Sequence, residues 1–201
     1  MHRVAVLTTV ALVGAVAIPA TASSSPGTSP GCAHLLVHPR GDAREWFLPG
    51  SPYNADADLL YVDARTTGGL LTLTVGLAKV EAKPATGTLI SVYFTTHHQG
   101  TTGDYSADIA HQVDGDSFSV ENSDTLSVAS ASGSANLTAG TFTIQVPLKT
   151  IDSNYRGAVL SDLGVIVAQN VGVTEANGGF IEQSTGPEYR YIVGNTNNCN
   201  G

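Results

Sequence analysis

Sulfur, positive charge and catalytic signatures are all scarce in this chain of 201 residues. It holds two cysteines, one methionine and one tryptophan, and charged residues make up only 13% of it. Two cysteines exclude a multi-bridge scaffold. Neither has a partner at ligand spacing, which argues against zinc. Nine Lys and Arg face 17 Asp and Glu, a net charge of −8. Nucleic acids and anionic membranes both reward clusters of Lys and Arg, so neither is an expected partner. No block of like charge occurs, and a spread of solvated acids favours a soluble monomer. The chain has no Gly-x-Ser-x-Gly elbow, no His-Glu-x-x-His and no phosphate loop, which removes the simplest arguments for catalysis. Long helical periodicity and internal repeats are missing as well.

What is present begins with an export pattern over residues 1–22. Arg3 supplies a positive start, and Val4 to Ile18 is apolar apart from Thr8, Thr9 and Gly14. Pro19 ends that run, and Ala20-Thr21-Ala22 offers the small residues a signal peptidase reads, with cleavage before Ser23. An apolar run of about 15 residues falls short of the roughly 20 that span a bilayer. The mature protein is therefore expected to be secreted, without a membrane segment. Residues 23–31, rich in Ser, Pro and Gly, read as a flexible linker. Residues 32–201 then form one domain, long enough to bury a real core. In an oxidising compartment Cys32 and Cys199 are expected to form a disulfide, the one intramolecular pairing open to them. Closing so long a loop is worth at most about 5 kcal/mol.

From Cys32 onward the pattern has a period of two. Asp58 to Arg65 reads as a strand, Thr66 to Gly69 as a turn, and Leu71, Leu73, Val75 and Leu77 alternate with Thr72, Thr74 and Gly76. Ile90, Val92 and Phe94 are followed by Tyr105, Ala107, Ile109 and His111. A loop around Gly100 and Gly103 would set Phe94 opposite Ala107 and Ile90 opposite His111. Asp114-Gly115 marks another turn, leading to Phe118 and Val120, and Leu126 and Val128 a further strand. Ser130 to Gly140 reads as a polar loop. Phe142, Ile144 and Val146 alternate up to Pro147, and Leu148 to Asp152 is expected to make a short helical turn. Leu163 to Ala168 has the apolar run of a doubly buried strand, and Tyr189, Tyr191 and Val193 close the domain. Many short strands without a βαβ rhythm predict an all-β fold: an antiparallel, jelly-roll-like β-sandwich in one domain, closed by the terminal disulfide.

Three groups of side chains carry candidate chemistry. His97, His98 and His111 attract attention as metal ligands, but the expected pairing separates His98 and His111 by about 27 Å at the usual strand rise, too far for one ion. His111 then reads as a hydrogen-bonded core residue, and His97 with Asp104 is the only pair left as a weak site. Asp42, Asp56 and Asp58 lie in or beside one long Gly/Pro-rich loop, and loop carboxylates that can wrap a hard cation make calcium the candidate cofactor. Turns and caps would use the same residues. Trp46 and Tyr53 share that loop and are the candidate ligand-binding residues, since flat rings cover the apolar face of a sugar. Trp46 could equally plug one end of the sandwich. Nothing selects a hydrolytic carboxylate pair from the 17 acids.

Gly41-Asp42-Ala43, Asp58-Leu59-Leu60, Phe142-x-Ile144-x-Val146-Pro147 and Tyr191-x-Val193-Gly194 before Cys199 together resemble the DOMON-like sandwich. That group includes family 9 carbohydrate-binding modules and many exported bacterial proteins. The resemblance implies a non-catalytic module binding sugar or, in some branches, haem held by Met and His. The chain departs from both patterns: its only methionine is Met1, and it has one tryptophan where sugar-binding relatives clamp their ligand between two. The sequence thus reads as an exported, non-catalytic module for carbohydrate or another small ligand. The alternatives are a structural or protein-interaction domain at the cell exterior, or a hydrolase with an unfamiliar site.

Overall fold

Period-two alternation is what this chain folds on, and every described segment of regular structure is a strand. The computed structural model describes residues 31–43, 53–84, 87–98, 100–153, 157–169, 180–185 and 190–194. In chain order the strands are β1 (Gly31–Val37), β2 (Leu59–Thr67), β3 (Leu70–Leu77) and β4 (Thr88–His98). They continue with β5 (Thr101–Gln112), β6 (Gly115–Asn122), β7 (Ser127–Ser130) and β8 (Ser132–Asn136). The last are β9 (Thr141–Pro147), β10 (Val159–Gln169), β11 (Phe180–Thr185) and β12 (Tyr191–Ile192).

They form two antiparallel sheets. The first has the order β1-β2-β3-β9-β8, and the second β11-β10-β4-β5-β6-β7, with β12 also pairing with β10. The expected all-β sandwich is what the chain forms. Inward side chains of the first sheet (Val62, Leu71, Leu73, Val75, Phe142, Ile144, Val146) meet those of the second (Ile90, Val92, Phe94, Ile109, Val165, Val167) in one core. Each such side chain, fully buried, contributes about 1.5–3 kcal/mol of apolar transfer. β3 leads into β4 and β9 into β10, so the central strands of both sheets are interlocked by two crossings.

Several local expectations need correction. Phe94 pairs with Tyr105, Ile90 with Ile109 and Thr88 with His111, a shift of two residues from the expected register. The ladder runs up to His98 opposite Thr101, beside Gly100 at φ 87°. A loop that tight leaves no room for the longer turn, but an even shift keeps both apolar sets facing inward. Thr66 and Thr67 belong to β2, and only Gly68 (φ 60°) and Gly69 (φ 80°) make the turn, the left-handed pair a two-residue hairpin requires. In the next hairpin the turn is Val113-Asp114, because Gly115 already pairs with Gln112. Residues 148–152 form hydrogen-bonded turns and no helix.

The stretch after Ser130, expected to be a loop, departs furthest from the sequence pattern. Ser132–Asn136 is edge strand β8, separated from β7 by Ala131 alone, whose amide donates to Phe118 O at 3.1 Å. Small residues are what this position needs. A Cβ on Gly133 would collide with the Phe118 ring and come within 2.5 Å of Thr143 O.

At the other side of the sandwich, Tyr191 is fully buried and its hydroxyl meets Thr66 Oγ1 at 2.8 Å, while the Gly194 amide donates to the same oxygen at 3.1 Å. The last described residues thus lie against β2. Tyr189 and Cys199 fall outside the described residues, as do the export segment and the linker up to Pro30.

Candidate functional site

Gly41 and Tyr53, on the described parts of the long segment before β2, meet at Asp58. Its carboxylate is buried and accepts the Gly41 amide on both oxygens, at 3.2 and 3.0 Å, and the Tyr53 hydroxyl at 2.5 Å. That hydrogen bond, burial and the negative charge of Asp58 raise the Tyr53 phenol above its ordinary value, outweighing a smaller opposing effect of Arg40. Asp58 is therefore a tie that anchors both ends of the loop to the strand. Asp42 lies 3.5 Å from His38 Nδ1, and Asp56 lies 3.4 Å from Lys79 Nζ. Burial, followed by the neighbouring Glu81 charge, pushes the Asp56 carboxyl up, with Lys79 opposing. The three carboxylates thus face three different partners. Among the described residues no group of three or more His, Cys, Asp and Glu is placed to hold a metal, which leaves the calcium expectation without a ligand set there. Trp46 lies outside the described residues. Tyr53 keeps a partly exposed ring.

The histidines divide as expected but with different partners. His111 is buried, with Nδ1 2.5 Å from Asp116 Oδ1 and Nε2 2.6 Å from Glu81 O, and its ring meets Phe142 edge-on. His111 pairs β5 and β6 to the segment between β3 and β4. His97 does not meet Asp104: it pairs with Thr102, and Asp104 accepts from Thr95 Oγ1 at 2.7 Å. His97 Nε2 instead lies 2.8 Å from Ser161 Oγ, and that hydroxyl donates to Asp162 Oδ2 at 2.8 Å. Here the acid is bonded to the serine itself. The contact lies beside the bulge at Asp162 (φ 51°), where the pairing of β10 with β4 shifts register.

A second site was not foreseen from sequence. A cleft of about 330 Å³ opens on the outer face of the first sheet, lined by Gly31, Ala33, Asp63, Arg65, Thr72 and Thr74 among others. Its wall is an irregularity in β1. Cys32 pairs with Ala64 but Leu36 with Val62, so four residues of β1 span two of β2. The extra length puts His34 at φ 54°, with its amide donating to Asp63 Oδ1 at 2.6 Å and Nδ1 3.2 Å from the same oxygen. The His34 and Tyr61 rings lie 4.8 Å apart at 32°. Tyr61 in turn lies over Gly76, where any Cβ would collide with the ring.

Beyond the cleft, register sets the outward residues in three rows across four strands. One row runs Arg65, Thr72, Gln145, Ser132; the next Asp63, Thr74, Thr143, Ser134; the third Tyr61, Gly76, Thr141, Asn136. Thr74 and Thr143 hydroxyls are 3.4 Å apart, and Ser132 Oγ donates to Gln145 Oε1 at 3.3 Å. The surface is a lattice of hydroxyls and amides with charge only along β2. The one sequence signal for it is the alternating threonines of β3 and β9, which on their own read as an ordinary wet strand face.

No family model, curated protein or solved structure matches the chain.

Proposed function

We propose that this protein is an exported, non-catalytic β-sandwich module that binds carbohydrate on the outer face of its five-stranded sheet. The observation that carries this reading is the polar cleft between the β1 irregularity and Thr72 and Thr74, continuous with a row of hydroxyl side chains. Sugars are recognised by such groups because each hydroxyl both donates and accepts. A strained residue held beside a cleft by its neighbour is also characteristic of ligand sites. The resemblance to DOMON-like modules belongs to the same reading, with Trp46 and Tyr53 as further stacking residues. A glycan array on the mature chain is expected to show binding that Asp63→Ala weakens. An array with no positive glycan removes the proposal.

The Cys32–Cys199 bridge is part of it. What supports it is that Cys32 is buried opposite Ala64, two residues along β2 from the Thr66 whose hydroxyl accepts the Gly194 amide, and Gly194 is five residues before Cys199 in sequence. Mass spectrometry of a non-reduced digest is expected to recover the linked peptides, and amino-terminal sequencing of exported protein to begin at Ser23.

One observation favours a protein-interaction role instead. Leu126 (75% exposed), in the turn before β7, and Val128 (66%), on that edge strand, stand out beside each other, and among the described strands β7 pairs with β6. If Leu126→Ser abolishes recruitment of a partner while glycans never bind, that second reading replaces the first.

A further inference from the structure

Resting on the carbohydrate reading of this face, we infer that the ligand is a neutral, extended polysaccharide lying across the strands, with one sugar over each of β2, β3, β9 and β8. Charge supports the first half of the statement. Along β3, β9 and β8 no outward position of the three rows carries an ionisable side chain, although the chain as a whole has a net charge of −8. A polyanion would have to match Arg65 alone while passing Asp63 on the same strand. A polymer of neutral hydroxyls needs no counter-charge, and Thr74, Thr143 and Ser134 present hydroxyls in a continuous row that leads away from the cleft.

Spacing supports the second half. Neighbouring strands lie about 4.8 Å apart, close to the length one pyranose adds to an extended glycan, whereas successive outward residues along a strand are about 6.6 Å apart. A chain running across the strands therefore repeats its contacts at every strand. A chain running along one strand falls out of step after two sugars. Asp63 anchors the cleft end of the row, where its carboxylate can take two hydroxyl donors from one sugar, and the β1 wall stops the ligand from continuing past it. The flat row beyond offers one hydroxyl per strand, the arrangement that adds affinity stepwise with ligand length.

The test is titration calorimetry of the mature protein with neutral cello-, xylo- and manno-oligosaccharides of increasing length, with polygalacturonate as the anionic probe. In the ladder that binds, affinity is expected to climb up to four sugars, by about three- to tenfold per added unit, the worth of one or two hydrogen bonds, and then level off. Thr143→Val, which keeps shape and removes a hydroxyl, should leave the disaccharide unaffected and cancel the gain from the third sugar. Ser134→Ala on the edge strand should cancel the gain from the fourth, and circular dichroism confirms that both variants are folded. Equal affinity for di- and tetrasaccharide, or tighter binding of polygalacturonate than of any neutral ladder, overturns this inference and leaves the carbohydrate reading standing. No binding by any probe overturns both.

Discussion

The backbone amide of His34 donates to Asp63 Oδ1 across 2.6 Å, and this contact holds a non-glycine residue at φ 54°. A left-handed residue with a Cβ costs about 1–2 kcal/mol, so the carboxylate is compensating a local penalty. Asp63→Ala is expected to lower stability by about 1 kcal/mol, the worth of a part-exposed hydrogen bond to a charged acceptor. His34→Gly, which relieves the backbone, should recover part of that loss in the double variant. Urea unfolding of the four proteins in a mutant cycle measures the coupling. Strictly additive losses would show that Asp63 does not hold the turn.

Asp56 is an acid whose burial disfavours its charge, and one of its oxygens has no hydrogen-bond partner. A carboxyl raised above its unfolded value adds stability below the unfolded value, near 4, and loses it as pH rises through the folded one. At neutral pH the ionised group is therefore a cost. Asp56→Asn should raise the melting temperature at pH 7, with the gap closing as pH falls toward 4. Lys79 is mostly exposed, so losing that ion pair should matter little. Scanning calorimetry across this range decides it, and a lower Tm at pH 7 would contradict the expectation.

Tyr191 and Tyr53 both have phenols raised above the ordinary value of about 10, the first mainly by burial and the second by its bond to Asp58. A raised value means the neutral form is favoured in the folded state. That stability is fully present below pH about 10 and is lost as pH rises through the folded values. Alkaline titration followed by tyrosinate absorbance should show both phenols titrating late. Tyr191→Phe and Tyr53→Phe should each remove one. Tyr191→Phe should cost only about 1 kcal/mol at neutral pH, because Thr66 still receives the Gly194 amide.

At Gly133 the Phe118 ring occupies the space a side chain would need. Gly133→Ala is expected to cost about 1–3 kcal/mol by overpacking. Adding Phe118→Leu should restore part of this, because the smaller side chain frees the volume. Thermal unfolding of the single and double variants gives the comparison, and a neutral single variant would mean the edge strand can shift.

How much was legible differs from element to element. Leu71, Leu73, Val75 and Leu77 announce β3 because alternation is a local property of a half-buried strand. The pairing of β4 with β5 was misplaced by two residues because register depends on loop geometry, and apolar alternation alone cannot tell even shifts apart. β8 was missed because Ser132 to Asn136 has no strand propensity of its own; it is a strand because β9 offers it a free edge. Asp58 was expected as a calcium ligand, and its buried oxygens bond to Gly41 and Tyr53, partners that only the folding of the loop ends onto β2 brings to it.

The sequence by itself determined the all-β class, because the period of the apolar pattern is carried by neighbouring residues. Which polar residues share a surface was decided only in three dimensions. Asp63, Thr74, Thr143 and Ser134 come from four strands spread over more than seventy residues, and they form one row because antiparallel register brings them level. The pattern in each strand says only that these side chains face away from the core. What they face together is set by backbone hydrogen bonds between strands, and those depend on the packing of the whole sandwich.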